Sequence, residues 1–206
     1  MALYPIFLKL EDRKVLIVGG GKVAAEKVEA VLRSATDVTV VAPKVMDRIG
    51  LWAQEQRLKH VATEYSRGMA QGYFLVIAAT DSDSVNHAVY EDGKRCGALV
   101  NAVDDPANCD FYAPAVVNRG DFQIAISTGG NSPALAQHVR QELEKKYGPE
   151  YGPWTAWLGR MRALLVKTLP SGENRRQLLH LLAFSTPGET PHRDLKNGGK
   201  HGPLEA

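Results

Sequence analysis

Cysteine is scarce in this sequence. Cys96 and Cys109 are the only two and make no C-x-x-C pair, so neither a disulfide framework nor a zinc site is indicated. The six histidines, at 60, 87, 138, 180, 192 and 201, show no metal-ligand spacing, and no metal ligand is assigned. No apolar run approaches a membrane span and no signal-peptide pattern opens the chain, which makes the cytoplasm the expected location. Dense basic clusters of the kind that grip nucleic acid are also missing, and no internal repeat is present. The formal net charge of +2 is unevenly divided: residues 133–184 carry twice as many Lys and Arg as Asp and Glu, whereas residues 1–132 are slightly acidic. That excess suits a solvated helix face or an anionic ligand. The 44% hydrophobic and 23% charged content is ordinary for a globular protein, and 206 residues suffice for one domain with an appendage.

What the chain does have is the stretch from Lys14 to Val28, KVLIVGGGKVAAEKV. Val15 to Val18 read as a buried parallel strand that runs into Gly19-Gly20-Gly21 and then into a helical pattern from Val23. The spacing fits G-x-G-x-x-A with Gly19, Gly21 and Ala24 at its key positions. Gly19 permits the tight turn, Gly21 admits a pyrophosphate to the backbone, and Ala24 lets helix and strand pack closely. The N–H groups at the helix start, around Lys22 and Val23, then face the phosphates. A plain strand-to-helix connector uses similar residues; the flanking strand and helix are what favour a dinucleotide site.

Further apolar runs fall at Pro5–Leu8, Asp37–Ala42 (ended by Pro43), Lys59–Thr63, Tyr73–Ala78 and Ala98–Val103. Helical patterns follow Gly21, span 46–56 with Met46, Ile49, Leu51 and Trp52 available to pack, and start near Ser84. This alternation predicts an α/β fold, a Rossmann-type doubly wound parallel sheet, over residues 1–112. The rhythm then changes. A hairpin of 113–117 and 122–126 closes through a longer loop at Asn118–Asp121, and a loop at Ser127–Pro133 opens a helix with Ser132 as N-cap. Leu135, Val139 and Leu143 form the stripe of that helix, and Gly148-Pro149 stops it. Hairpin and helix have too little sheet of their own to cover, so residues 113–150 are expected to bury against a second copy. A C-terminal helical region spans 151–184, with Trp154, Trp157, Leu158, Met161, Leu164 and Leu165 read as core. Residues 185–206 are polar and predict a disordered tail.

Three places carry candidate chemistry. Asn101–Pro106 lies at the end of the fifth strand, where such sheets bind ligands, and points Asp104 at the cleft; Asp105 reads as a turn residue before Pro106. The loop of Ser127, Thr128, Gly129, Gly130, Asn131 and Ser132 suits a carboxylate or serves only as a helix cap. Ala79, Thr80 and Asp81 follow the fourth strand beside the expected ribose and nicotinamide. Tyr90 and Lys94 match Y-x-x-x-K, but Gly93 and the lack of an upstream serine make that a coincidence. His138, on the helix after Pro133, is the histidine best placed to face the cleft, with a surface position preferred.

Four segments, VLIVGGGKVAAEKV, IAATDSDSVN, NAVDDPANCDFYAPAVV and ISTGGNSPALA, resemble in that order the precorrin-2 dehydrogenase family. This family includes stand-alone dehydrogenases and the amino-terminal half of siroheme synthase, and the resemblance covers residues 4–145. It implies NAD-dependent oxidation of precorrin-2 to sirohydrochlorin on the way to siroheme or cobalamin, with ferrous or cobaltous ion inserted afterwards in some members. It also implies an intertwined homodimer, with 113–150 as its dimerisation region. Asp104 matches the family's catalytic aspartate. The second strand ends without the acidic residue that usually grips a ribose, and Lys44 taken alone suggests a 2′-phosphate. The resemblance instead implies NAD, with its ribose held by backbone around Pro43 and Lys44. The methyltransferase half of trifunctional siroheme synthases is expected to be absent. A nucleotide-sensing module and a chelatase without dehydrogenase activity are the alternative readings.

Overall fold

The computed structural model describes residues 3–184 and Pro187. Among them, five parallel strands form one sheet: β1 (Lys14–Val18), β2 (Asp37–Val41), β3 (Lys59–Val61), β4 (Leu75–Ala78) and β5 (Leu99–Ala102). Their order is β3-β2-β1-β4-β5, so the chain winds outward in both directions from β1. The apolar run at Val15–Val18 follows from that central place. Val15 and Ile17 enter one core with Val28, Val40, Ile49 and Trp52, while Leu16 and Val18 enter a second with Val76, Val89 and Val100. A strand buried on both faces has no solvent side to spare for polar residues. The register brings Val18, Val41 and Ala78 level, so the loops leaving β1, β2 and β4 emerge side by side.

Three helices, α1 (Lys22–Val31), α2 (Asp47–Gln54) and α3 (Asp83–Arg95), connect these strands. The Ser82 hydroxyl caps α3 by accepting from the Val85 N–H, and Lys94 and Arg95 occupy its last turn, where cations suit the helix dipole. Gly93 has a packing reason: a Cβ there would lie 2.6 Å from Cγ2 of Val100. Some expectations needed correction. Pro5–Leu8 is not a strand, and Tyr4, Ile6 and Phe7 stand exposed. Its apolar composition favours burial, but a strand also needs a pairing partner. In α2, Ile49 and Trp52 are buried while Met46 and Leu51 face out, and Val23 of α1 is exposed beside the glycine turn.

The chain divides into two units, residues 1–113 and 114–206. The second holds a hairpin, β6 (Ala115–Arg119) and β7 (Phe122–Ile126), then α4 (Pro133–Lys146), α5 (Tyr151–Thr168) and α6 (Glu173–Phe184). The hairpin loop is tighter than expected: Arg119 pairs with Phe122, leaving Gly120-Asp121 as a two-residue turn with Gly120 at φ +71°. A primed turn requires that conformation, and glycine supplies it without strain. The Arg119 guanidinium donates to the carbonyls of Glu144 and Tyr147, satisfying the end of α4, and Phe122, Tyr147 and Tyr151 cluster beside it. The buried residue of α4 is Ala136, whereas Leu135 of the expected stripe is 52% exposed. Trp154 and Trp157 stack at 4.9 Å and are half-buried, and Leu164 faces out, so the α5 stripe is not the enclosed core expected of it. The tail expected at 185–206 lies outside the described residues, Pro187 apart.

One buried carboxylate fixes the long connection between β3 and β4. Asp92 of α3 is 3% exposed and accepts from the Tyr65 hydroxyl at 2.6 Å and the N–H groups of Gly68 and Ala70, and it pairs with Arg95 at 3.2 Å. Burial works to raise its pKa, but the bonds from Tyr65, Gly68 and Ala70 and the charge of Arg95 outweigh it, holding the carboxyl below its ordinary value. Tyr65 is pushed upward, first by its own burial and then by Asp92. A carboxyl with a depressed folded-state pKa contributes fully above its unfolded value of about 3.9 and loses that contribution as pH falls through the folded value. Urea titrations should therefore show stability declining below about pH 4, and Asp92→Asn should flatten that decline while costing about 1–3 kcal/mol at pH 7. An unchanged acid decline in the variant would assign it to other carboxylates.

Candidate functional site

The ends of β1, β2 and β4 meet around three glycines, each there for a different reason. Gly19 donates to the Val41 carbonyl at 2.9 Å and sits at φ +126°, and a Cβ there would come within 2.1 Å of the Ala79 oxygen. A Cβ on Gly20 would lie 2.0 Å from the Lys44 oxygen, and the Gly20 carbonyl accepts from the Met46 N–H at 2.9 Å. Gly21 is the open one: a Cβ there would meet no described atom within 4 Å. It stands at the N-cap of α1, where among the described residues no side chain caps the helix and no acidic residue occupies the first turn. The first N–H groups, including those of Lys22 and Val23, are thus left for a ligand. These features fit the phosphates of a dinucleotide, because the only steric opening in the turn coincides with the helix's positive end. The close approach of Gly20 to Lys44 escaped the sequence, where G-x-G-x-x-A leaves the second position unspecified.

Pro43 and Lys44, at the end of β2, are exposed beside this turn. On the other side the backbone of Ala79–Asp81 is held by a residue that sequence reading missed. Asn86, 5% exposed, accepts from the Thr80 N–H (3.2 Å) and hydroxyl (2.8 Å) and donates to the Thr80 carbonyl (3.0 Å). The one available signal was an amide beside Val85 in the first turn of α3. Gly19–Val23, Pro43–Lys44 and Ala79–Asp81 therefore gather at one end of the sheet. A surface depression of about 520 Å³ lies at the opposite end of β2 and β3, lined in part by Asp37, Arg57 and Lys59, and none of the candidate residues borders it.

Asp104 follows β5 at the same end. Val103 N–H donates to Ala78 and Asp105 N–H to Ala102, closing a turn whose third residue is Asp104, exposed and at φ +62°. Glycine or asparagine usually fills that position of a type II turn, because a side chain meets backbone there. Asp105 instead caps the 3-10 turn Pro106–Asn108, accepting from the Ala107 N–H and the Asn108 amide. The Cys109 thiol lies within donating reach of the carbonyls of Ala102 and Asp105, sharing its one hydrogen between them, and burial is the main cause of its raised pKa.

In the second unit, every hydroxyl of Ser127–Ser132 shapes the loop. Ser127 accepts from the Gly129 N–H, Thr128 from that of Ser132, and Ser132 caps α4 through Leu135; Gly129 and Gly130 have φ of +62° and +85°, and the Asn131 amide donates to the Thr128 carbonyl. His138 is exposed and pairs with Glu142, and Lys94 binds Asp110. Among the described residues no group of three or more His, Cys, Asp or Glu is placed to hold a metal ion, and no helix is long and apolar enough to cross a membrane.

An NAD(P)-binding family model matches residues 6–115, and a model of the sirohaem biosynthesis protein central region matches 119–146. The siroheme synthase of Photobacterium profundum is 38% identical over 177 residues, which are 86% of this chain and 38% of that protein. That of Xylella fastidiosa is 36% identical over all 206 residues and 42% of its own length. The chain thus spans about two fifths of the length of these curated relatives. A solved structure of SirC, a precorrin-2 dehydrogenase, superposes with a TM-score of 0.72 and 29% identity, covering 88% of each chain. With its sheet order, its glycine turn and these relatives together, the chain belongs to the NAD(P)-binding family that precorrin-2 dehydrogenases share with the corresponding part of siroheme synthases.

Proposed function

We propose that this protein oxidises precorrin-2 to sirohydrochlorin with NAD. The observation that carries the reading is the placement of a carboxylate, Asp104, in a turn suited to glycine, at the same sheet end as the open glycine cradle. Asp12 and Gln56 share this backbone conformation, so it is the position at the strand ends beside the cradle that gives Asp104 its functional reading. When bound, the nicotinamide supplies the hydride acceptor. The chain supplies the rest. Gly21 and the α1 N-terminus fix the pyrophosphate, and Asn86 holds the Thr80 backbone rigid beside the ribose. The Asp104 carboxylate takes the proton that leaves the tetrapyrrole as its hydride departs. In the second unit the hydroxyls of Ser127, Thr128 and Ser132 accept within their own loop and keep their hydrogens for a carboxylate. Where ferrous or cobaltous ion is a further substrate, the same aspartate accepts protons from the pyrrole nitrogens.

Anaerobic incubation with precorrin-2 and NAD, followed by absorbance, should show sirohydrochlorin. Asp104→Asn should keep NAD affinity and lower the rate by about 10²–10⁴-fold, the usual loss for a general base. Asp104→Gly should be equally inactive and yet more stable to urea, because glycine relieves the left-handed strain. Wild-type rates in both variants would remove Asp104 from the chemistry.

NAD is the preferred cofactor. Gly20 presses against the Lys44 carbonyl, fixing the backbone of the β2 loop for a ribose, and Lys44 itself is exposed. Steady-state kinetics should give the higher kcat/KM with NAD, and a higher value with NADP would reverse the assignment. The protein acts as a homodimer, since Val116 and Leu135 of the hairpin and α4 are exposed in the single chain. Sedimentation at micromolar concentration should report the dimer, and a monomer there would overturn it.

A further inference from the structure

β5 is the outermost strand of the sheet beyond β4, and its free edge is occupied by the chain that follows it. The Asp110 N–H donates to the Val100 carbonyl at 2.7 Å, and the Val100 N–H donates back to Asp110 Oδ2 at 2.9 Å. Lys94 Nζ holds the other carboxylate oxygen at 2.7 Å. One residue onward, the Asn101 amide donates to the Phe111 carbonyl at 2.8 Å. Residues 109–111, after the turn at Pro106–Asn108, therefore lie along β5 in the place of a sixth strand, with a side-chain carboxylate substituting for a backbone acceptor. That protects an otherwise open edge. It also closes a short loop: the segment leaves β5 at Ala102, turns through Asp104 and is clamped back on Val100 by Asp110.

We propose that Asp110 is a positioning residue for Asp104, holding the 102–105 turn in its left-handed form so that the Asp104 carboxylate stays aimed from the sheet end. This rests on the reading of Asp104 as the base. Asp110 touches neither cofactor nor substrate in this scheme and acts through the turn alone. Misplacing a reacting group by about 1 Å can cost 10²-fold in rate, and a turn that must carry a non-glycine at φ +62° relaxes readily once its clamp is gone.

The test compares Asp110→Ala, Asp110→Asn and Lys94→Met for kcat, KM, NAD affinity and amide hydrogen exchange at Asp105, whose N–H closes the turn. Asp110→Ala should lower kcat about 10- to 100-fold, leave NAD affinity unchanged and speed exchange at Asp105. Asp110→Asn keeps an oxygen for the Val100 N–H and should recover most of both. Lys94→Met lies at an exposed site and should show a smaller loss of the same kind, deciding the matter should Asp110→Ala fail to fold. In an Asp104→Asn background, Asp110→Ala should cost nothing further. Undiminished protection at Asp105, or the full loss of kcat in that background, would overturn the proposal. A wild-type rate in Asp104→Asn alone would defeat the base reading, while exchange at Asp105 would still decide whether Asp110 holds the turn.

Discussion

Backbone packed directly on backbone is the constraint from which this nucleotide unit is built. The turn after β1 has no Cβ at Gly19 or Gly20, and the carbonyls of Ala79 and Lys44 occupy the space that side chains would need. Because β1, β2 and β4 end level, any atom added at either glycine would push the neighbouring loops away from the sheet end. The turn is thus a spacer of minimum thickness. Only at Gly21 is the missing side chain left unfilled by protein. Two glycines hold the loops together, and the third leaves the open space proposed for the pyrophosphate.

A second constraint works at the sheet's outer side. β5 pairs on one edge with β4, and the chain beyond it folds back to satisfy the other with Asp110, the Phe111 carbonyl and the Cys109 thiol. Sealing that edge and shaping the Asp104 turn are one event in the chain. The same economy occurs at Asp92, where one carboxylate organises the long β3–β4 connection by accepting from Tyr65, Gly68 and Ala70. In both cases an acidic side chain replaces regular secondary structure where the backbone has none to pair with.

The sheet was legible in the sequence because strands buried on both faces announce themselves as apolar runs: Val15–Val18 and Leu75–Ala78 needed no partner to be recognised. Pro5–Leu8 has a similar composition and misled for the same reason, since hydrophobicity reports a wish for burial and says nothing of pairing. The turn role of Asp105 was visible through Pro106, which makes its neighbour a turn former. Asn86, Asp92 and Asp110 were not visible. Each makes contacts that span six to twenty-seven positions of sequence, beyond any local pattern, and a polar residue on a helix or loop looks the same whether it faces water or a buried N–H. The hairpin loop was misjudged by length, because Asn118 and Arg119 have turn-like composition but stay in the ladder.

The left-handed conformation at Asp104 has a consequence for how such a protein decays. Most inactivating changes at buried catalytic positions also injure the fold, and cellular quality control removes the product. With Asp104 as the proposed base, the two replacements that most easily abolish proton transfer, asparagine and glycine, are those the turn accommodates best. A lineage that no longer needs the reaction can lose it at this position without any loss of solubility or abundance. Its descendants would keep the glycine cradle and an intact sheet, ready for use as a nucleotide-responsive protein without chemistry.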